Sequence, residues 1–347
     1  MSDLIIDSTL LSCPNPSQFS KDDFQNIFLN FLEQLSDISN LRLHCKSVHF
    51  WRDIELTELL YEHNSYPFRH SLAAAFNELF DPYDFQLEDV NILATALLER
   101  SMRLEDAGEI QDIIVSSCAL SDDPIVGRNL DSVNHLCRLT CLALSVLGDG
   151  NEFSKNVFLV SGKSDSPSES IAVTCVVDMA VDTNGKYSTD LSAISVRLPI
   201  YPGGDAFCKA TDLVKWWSVA TSDAIIDSCG IQAGLTEENI WSVITIVHKN
   251  LTLGGNFIAT ARALGFMHVD TKISRLLRVC ADLVLRRNLA DSHWLRNGMG
   301  PMAPQKSKGD WRAWRHDIDH EFHLHYWKYG ENIELANVVV HNDFSID

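Results

Sequence analysis

The chain lacks several features that would place it at once. None of its nine cysteines falls in a CxxC, and their number is odd and their spacing scattered. That argues against a disulfide framework or a zinc ribbon and for reduced thiols in a cytoplasmic protein. No apolar run approaches the ~20 residues of a membrane span, so no membrane partner is expected, and Met1-Ser2-Asp3-Leu4 reads without the basic and apolar segments of a secretion signal. There is no internal repeat and no extended low-complexity tract. The patterns G-x-S-x-G, G-x-x-x-x-G-K-[ST], G-x-G-x-x-G and H-E-x-x-H are also missing, which leaves α/β-hydrolase, P-loop, Rossmann and zincin chemistries without a motif.

Positive charge is scarce as well. Across 347 residues, 28 Lys and Arg stand against 47 Asp and Glu, a net charge of −19. The deficit is uneven: residues 1–155 hold 25 acids and 10 bases, whereas residues 156–347 hold 22 and 18. An acidic first half suits a basic partner, either another protein or the basic half of a second copy in a homo-oligomer. Lys272 to Arg315 reverses the sign, with ten bases against Asp282, Asp291 and Asp310. Such a stripe suits nucleic acid, because Lys and Arg neutralise phosphate and release counterions. Arg286, Arg296, Lys306, Lys308, Arg312 and Arg315 are the candidate phosphate-binding residues.

Hydrophobic residues at 46% and charged residues at 22% belong to a globular chain, long enough for two domains or one elaborated domain. Ser20 caps a helix whose Phe24, Phe28, Phe31 and Leu35 recur at helical spacing. The alternation of Leu41, Leu43 and Cys45 predicts a short strand ending near Trp51. Helical patterns follow at about 53–63, 68–80, 87–103, 108–119 and 130–147, with Pro82 separating the second from the third. In the last of these, Cys137 and Cys141 lie one turn apart with no second pair to answer them, so they read as buried thiols. After Gly148-Asp149-Gly150-Asn151 the period changes to 2. Val157 to Val160 is a strand, Ser161 to Ser170 a loop, and Asn184-Gly185 a two-residue turn that sets Cys175 against Ile194, Val173 against Val196 and Ile171 against Leu198. Helices return from about Thr211, and the last of them, about 271–290, precedes the C-terminal stretch. The expected fold is therefore α+β and mostly helical, with two antiparallel hairpins or small sheets. An acidic, mainly helical region would span 1–150, and a region over 151–347 would carry hairpins at about 170–198 and 319–342.

The side-chain chemistry is concentrated near the C-terminus, where five of the 13 histidines fall between His316 and His341. A loop of two or four residues at Gly330-Glu331 pairs His320 with His341, flanked by Asp317, Asp319 and Asp343. Imidazoles and carboxylates converging there would hold Zn²⁺, Mn²⁺ or Fe²⁺. His323 and His325, as H-x-H on one strand face, form a second candidate pair of metal ligands.

The segment Arg287-Asn288-Leu289-Ala290-Asp291-Ser292-His293 resembles the Arg-polar-x(n)-His signature of HEPN-type ribonucleases. The resemblance implies that Arg287 and His293 act together on a scissile phosphate at a helix end, usually in a dimer. These features point to an intracellular phosphodiester-acting hydrolase, nuclease-like and of a toxin or defence kind, with His320, His341 and Asp343 doing metal or proton chemistry. The alternative is a non-catalytic subunit of a complex, binding a basic partner through its acidic N-terminal half.

Overall fold

The computed structural model describes residues 2–67, 69–80, 86–125, 128–149, 152–153, 157–162, 170–188, 193–201, 203–298 and 302–346. The break expected at Pro82 and most of the loop expected over Ser161 to Ser170 lie outside these residues. The chain divides into two compact units, one of residues 2–43 and 48–207, the other of residues 44–47 and 208–347. The boundary expected near residue 150 falls inside the first.

The first unit runs β1 (Ser2–Ile6), α1 (Ser8–Leu11), α2 (Lys21–His44), β2 (Val48–Arg52), α3 (Leu56–Glu62), α4 (His70–Leu79), α5 (Leu87–Arg100), β3 (Met102–Arg103), α6 (Leu104–Ala107), β4 (Ile110–Ser121), α7 (Leu130–Leu147), β5 (Gly148–Asp149), β6 (Glu152–Phe153), β7 (Val157–Val160), β8 (Ser170–Asp182), β9 (Tyr187–Ser188) and β10 (Ala193–Tyr201). Its main sheet has the order β3-β2-β1-β7-β10-β8-β4, with β9 paired to β8. β1 is parallel to β2 and β7, whereas β8 is antiparallel to β10 and β4. Leu4, Ile5 and Ile6 of β1 are all fully buried, as expected of a parallel strand covered on both faces. α7 packs on this sheet with Leu136, Leu139 and Leu142 fully buried, each adding about 1.5–3 kcal/mol by leaving water.

The second unit contains α9 (Leu213–Ser218), which follows the short α8 (Gly204–Ala210), then α10 (Ser222–Gly234), α11 (Ile240–Asn250), β11 (Leu251–Leu253), α12 (Phe257–Ala263), α13 (Asp270–Val284), β12 (Ser292–Trp294), β13 (Ser307–Lys308), β14 (Trp311–Asp317), β15 (Phe322–Tyr329) and β16 (Asn332–Val340). Its sheet has the order β11-β16-β15-β14-β12, with β13 paired to β14. No helix among the described residues is long and apolar enough to cross a membrane.

A mostly helical chain with small hairpins is therefore not what forms. The fold is α/β, with 46% helix and 28% strand among the described residues, a large seven-strand curled sheet forming a half-barrel, and a second sheet of six strands. Four local corrections explain the difference. The pattern at 108–119 is strand β4, whose register skips at Ile110/Asp112, Ile114/Val115 and Ser116/Ala119, and these irregularities turn a period of 2 into something close to 3.6. The strand expected from Leu41 to near Trp51 forms only as β2 from Val48, because Leu41 to His44 are the end of α2, with Leu41 and Cys45 buried four residues apart and Leu43 exposed. The turn after β8 is a three-residue loop, since Asp182 bonds Lys186 around Thr183-Asn184-Gly185, yet the three predicted β8–β10 pairs form as expected. Finally, α13 stops at Val284, short of residue 290.

Candidate functional site

The best-formed site lies in the acidic first unit, on α3, β4 and α7. β2 ends at Arg52, and Asp53, the next residue, is fully buried. Its carboxylate accepts from the Leu56 backbone N–H at 2.9 Å, which tethers the start of α3, and from Arg138 Nη1 at 2.7 Å. It also lies 3.0 Å from His135 Nε2. Burial pushes the Asp53 carboxyl up, but His135, Arg138 and the Leu56 amide together outweigh it and hold the group below its ordinary range. His135 and Arg138 are one turn apart on α7, both buried, inside a run of buried residues from His135 to Leu144.

Arg138 is surrounded by acid. Besides Asp53, its guanidinium lies 3.3 Å from Asp112, 3.4 Å from Glu55 and 3.6 Å from Glu105. Burial alone would lower its basicity, but these carboxylates raise it. Glu55 is shifted up, chiefly by burial. Beside the group opens a cleft of about 470 Å³, lined by Glu55, Glu58 and Glu62 of the α3 region, Asp112 to Val115 of β4, and Asp131, Asn134, His135 and Arg138 of α7. His135 side chain is 4% exposed, and with Nε2–H donated to Asp53 its Nδ1 has no hydrogen-bond partner. In the neutral ring that nitrogen is an acceptor. A second buried pair sits at the end of β1, where Arg128 grips Asp7 through both terminal nitrogens at 2.9 and 2.8 Å and reaches Asp123 at 2.9 Å. Burial raises the Asp7 carboxyl, and Arg128 more than reverses this.

The residues singled out in the sequence fall in the second unit. The Gly330-Glu331 turn forms, with Tyr329 opposite Asn332, but a bulge at Ala336 shifts the register between His325 and Tyr326. His341 N then bonds Glu321 O, so the pairing of His320 with His341 that the turn alone predicts is not made. His320 is exposed beside Glu321. Asp319 pairs with Arg275 and accepts the Glu321 and Phe322 amides, and Asp343 accepts that of Ser345. His323 and His325 do share a strand face, and both are buried. His323 has Nδ1 2.8 Å from Asp317, Nε2 3.1 Å from the His341 carbonyl, and its ring 4.7 Å from that of His341. His325 Nδ1 donates to Ser345 O at 2.6 Å, and burial drives its pKa down to about 4. Among the described residues, no three His, Cys, Asp or Glu side chains form a group able to hold a metal ion.

Four of the six candidate phosphate ligands are already hydrogen-bonded. Arg286 pairs with Glu331 at 2.7 Å, Arg296 donates to Ala303 O at 2.7 Å, Lys306 to Phe344 O at 2.5 Å and Arg312 to Gly309 O at 2.9 Å. Lys308 lies 3.9 Å from Glu334, and Arg315 stands over the Phe344 ring. Arg287 is tied to Glu237 and Thr236, while His293 lies on β12 opposite Arg315, so the two do not share a helix end. The cleft had one legible signal: a histidine and an arginine set in the apolar face of a helix must find buried partners. Comparison with known proteins finds no family model, no curated protein and no solved structure that matches this chain.

Proposed function

We propose that the first unit is a receptor for a positively charged ligand, the Lys- or Arg-bearing segment of a basic partner, held in the cleft between α3, β4 and α7. The observation that carries this reading is the lining, in which Glu55, Glu58, Glu62, Asp112 and Asp131 share one cleft with a single arginine, Arg138, whose charge is already met by Asp53, Glu55, Glu105 and Asp112. A surface of acceptors selects for donors, and ammonium and guanidinium groups bring several donors with compensating charge. Phosphodiester hydrolysis at the C-terminal histidines is the weaker reading, because the bulge parts His320 from His341 and four of the six neighbouring bases are already bonded.

The test is a titration of the full chain with an oligo-lysine peptide, comparing the wild type with Glu58→Lys/Glu62→Lys and with a control reversal at exposed Glu33 on α2. Reversal in the cleft should weaken binding by about tenfold or more, since like charges across an interface cost several kcal/mol, and Glu33→Lys should change it little. Equal affinities for all three proteins would end the proposal.

A further inference from the structure

Four of the nine cysteines meet beneath α7. Cys137 and Cys141 lie one turn apart on that helix, Cys175 stands on β8 below them, and Cys118 sits in β4 where the register skips between Ser116 and Ala119. The Cys141 and Cys175 sulfurs are 3.4 Å apart, the Cys137 thiol lies 4.0 Å from the carbonyl of Thr174, the residue before Cys175, and the stretch of β4 that holds Cys118 lies opposite Cys175, between the pairs Ser116–Val176 and Ala119–Thr174. Cys137, Cys141 and Cys175 are buried, while Cys118 is partly exposed. The four thiols are thus gathered where α7, β8 and β4 meet, with one of them at the surface and a touching pair buried. Isolated core thiols are ordinarily inert, and it is this gathering that sets these four apart.

We propose that Cys141 and Cys175 are a disulfide-forming site, oxidised by thiol–disulfide exchange with a low-molecular-weight disulfide of the glutathione type that enters at Cys118. The Cys118 thiolate attacks one sulfur of the small disulfide and releases the first small thiol, leaving a mixed disulfide. The Cys137 thiolate attacks Cys118 Sγ and expels the second small thiol. The Cys175 thiolate then takes Cys137 Sγ and frees Cys118, and Cys141 attacks Cys175 Sγ and frees Cys137. Two protein thiols are oxidised, one small disulfide is reduced to two thiols, and each step exchanges one S–S bond for another. The neighbouring Cys137 and Cys141 thiols lower the Cys175 thiol and favour its thiolate, while the approach to Cys175 and burial raise those two, and burial raises Cys118. The product would tie α7 to β8, and it stands independently of the ligand proposed for the cleft.

The folded full chain would be equilibrated with oxidised and reduced glutathione at ratios from reducing to oxidising, quenched in acid, alkylated and digested with trypsin. Cleavage after Arg128, Arg138, Lys155 and Lys186 places the four cysteines on four different peptides. The expected product is a cross-linked pair of the Cys141 and Cys175 peptides, with Cys118 and Cys137 alkylated. Cys118→Ser should slow its formation by about tenfold or more and leave the final amount unchanged. Full alkylation of Cys141 and Cys175 at the most oxidising ratio, a glutathione adduct that stays on Cys118, or a cross-link joining another pair would each overturn the proposal.

Discussion

Asp53 shows how one side chain can hold a site together. It tethers α3, orients His135 and helps to neutralise Arg138, all without contact with water. Replacing it with Asn leaves Arg138 buried beside fewer charges, and breaking a buried pair in this way costs about 3–5 kcal/mol. Urea denaturation of Asp53→Asn should show a loss of that order, and a stability equal to the wild type would mean that the remaining carboxylates suffice. In the second unit, His325 works in the opposite sense. Its folded pKa of about 4 lies below the ordinary 6.5, so the folded state resists protonation. The stability it contributes is complete above about pH 6.5 and is lost as pH falls towards about 4, a change of about 3 kcal/mol. Ring-carbon NMR should give a His325 midpoint near 4; a midpoint near 6.5 would remove the effect. The sequence showed that His323 and His325 share a face, since strand alternation is local. It did not show that this face is buried, because burial depends on what packs there.

At the scale of elements, long runs with one period were legible and interrupted ones were not. α7 forms over the 130–147 expected, and the β8–β10 pairs form as read from their alternation. β4 and β16 were misread for a common reason: bulges insert residues that local patterning cannot distinguish from a change of period or register. β1, five residues long with Ser2 and Asp3 followed by Leu4, Ile5 and Ile6, is too short to show any period. α10 shows a further tertiary effect. Gly230 lies inside α10, and Gly234 ends the helix where a Cβ would come 2.5 Å from Ile240 Cγ1 and 3.1 Å from its carbonyl. Gly234→Ala should therefore destabilise the protein by about 1–3 kcal/mol, although Ala is the better helix former by about 1 kcal/mol. A urea midpoint at or above the wild-type value would show that α11 can move aside.

Across the whole molecule, the acidity of the first half was plain from composition, but its convergence was not. Glu58 and Glu62 lie on α3, Asp112 on β4 and Asp131 on α7, and the start of α3 is held to α7 and β4 by contacts far apart in sequence, Asp53 with His135 and Arg138 and Arg138 with Asp112. Such long-range pairing leaves no mark at the spacing of a motif. The C-terminal concentration of histidine and basic residues drew attention because it is contiguous, yet much of it is internally bonded. The central claim is that the cleft, and not acidity in general, receives a cationic ligand. It is tested most directly by carbodiimide coupling of an oligo-lysine peptide to the full chain, followed by mass-spectrometric mapping of the carboxylates that become joined to peptide amines. The account predicts coupling concentrated at Glu55, Glu58, Glu62, Asp112 and Asp131 and suppressed by Glu58→Lys/Glu62→Lys. Coupling spread over the chain's acids in proportion to their exposure would contradict it.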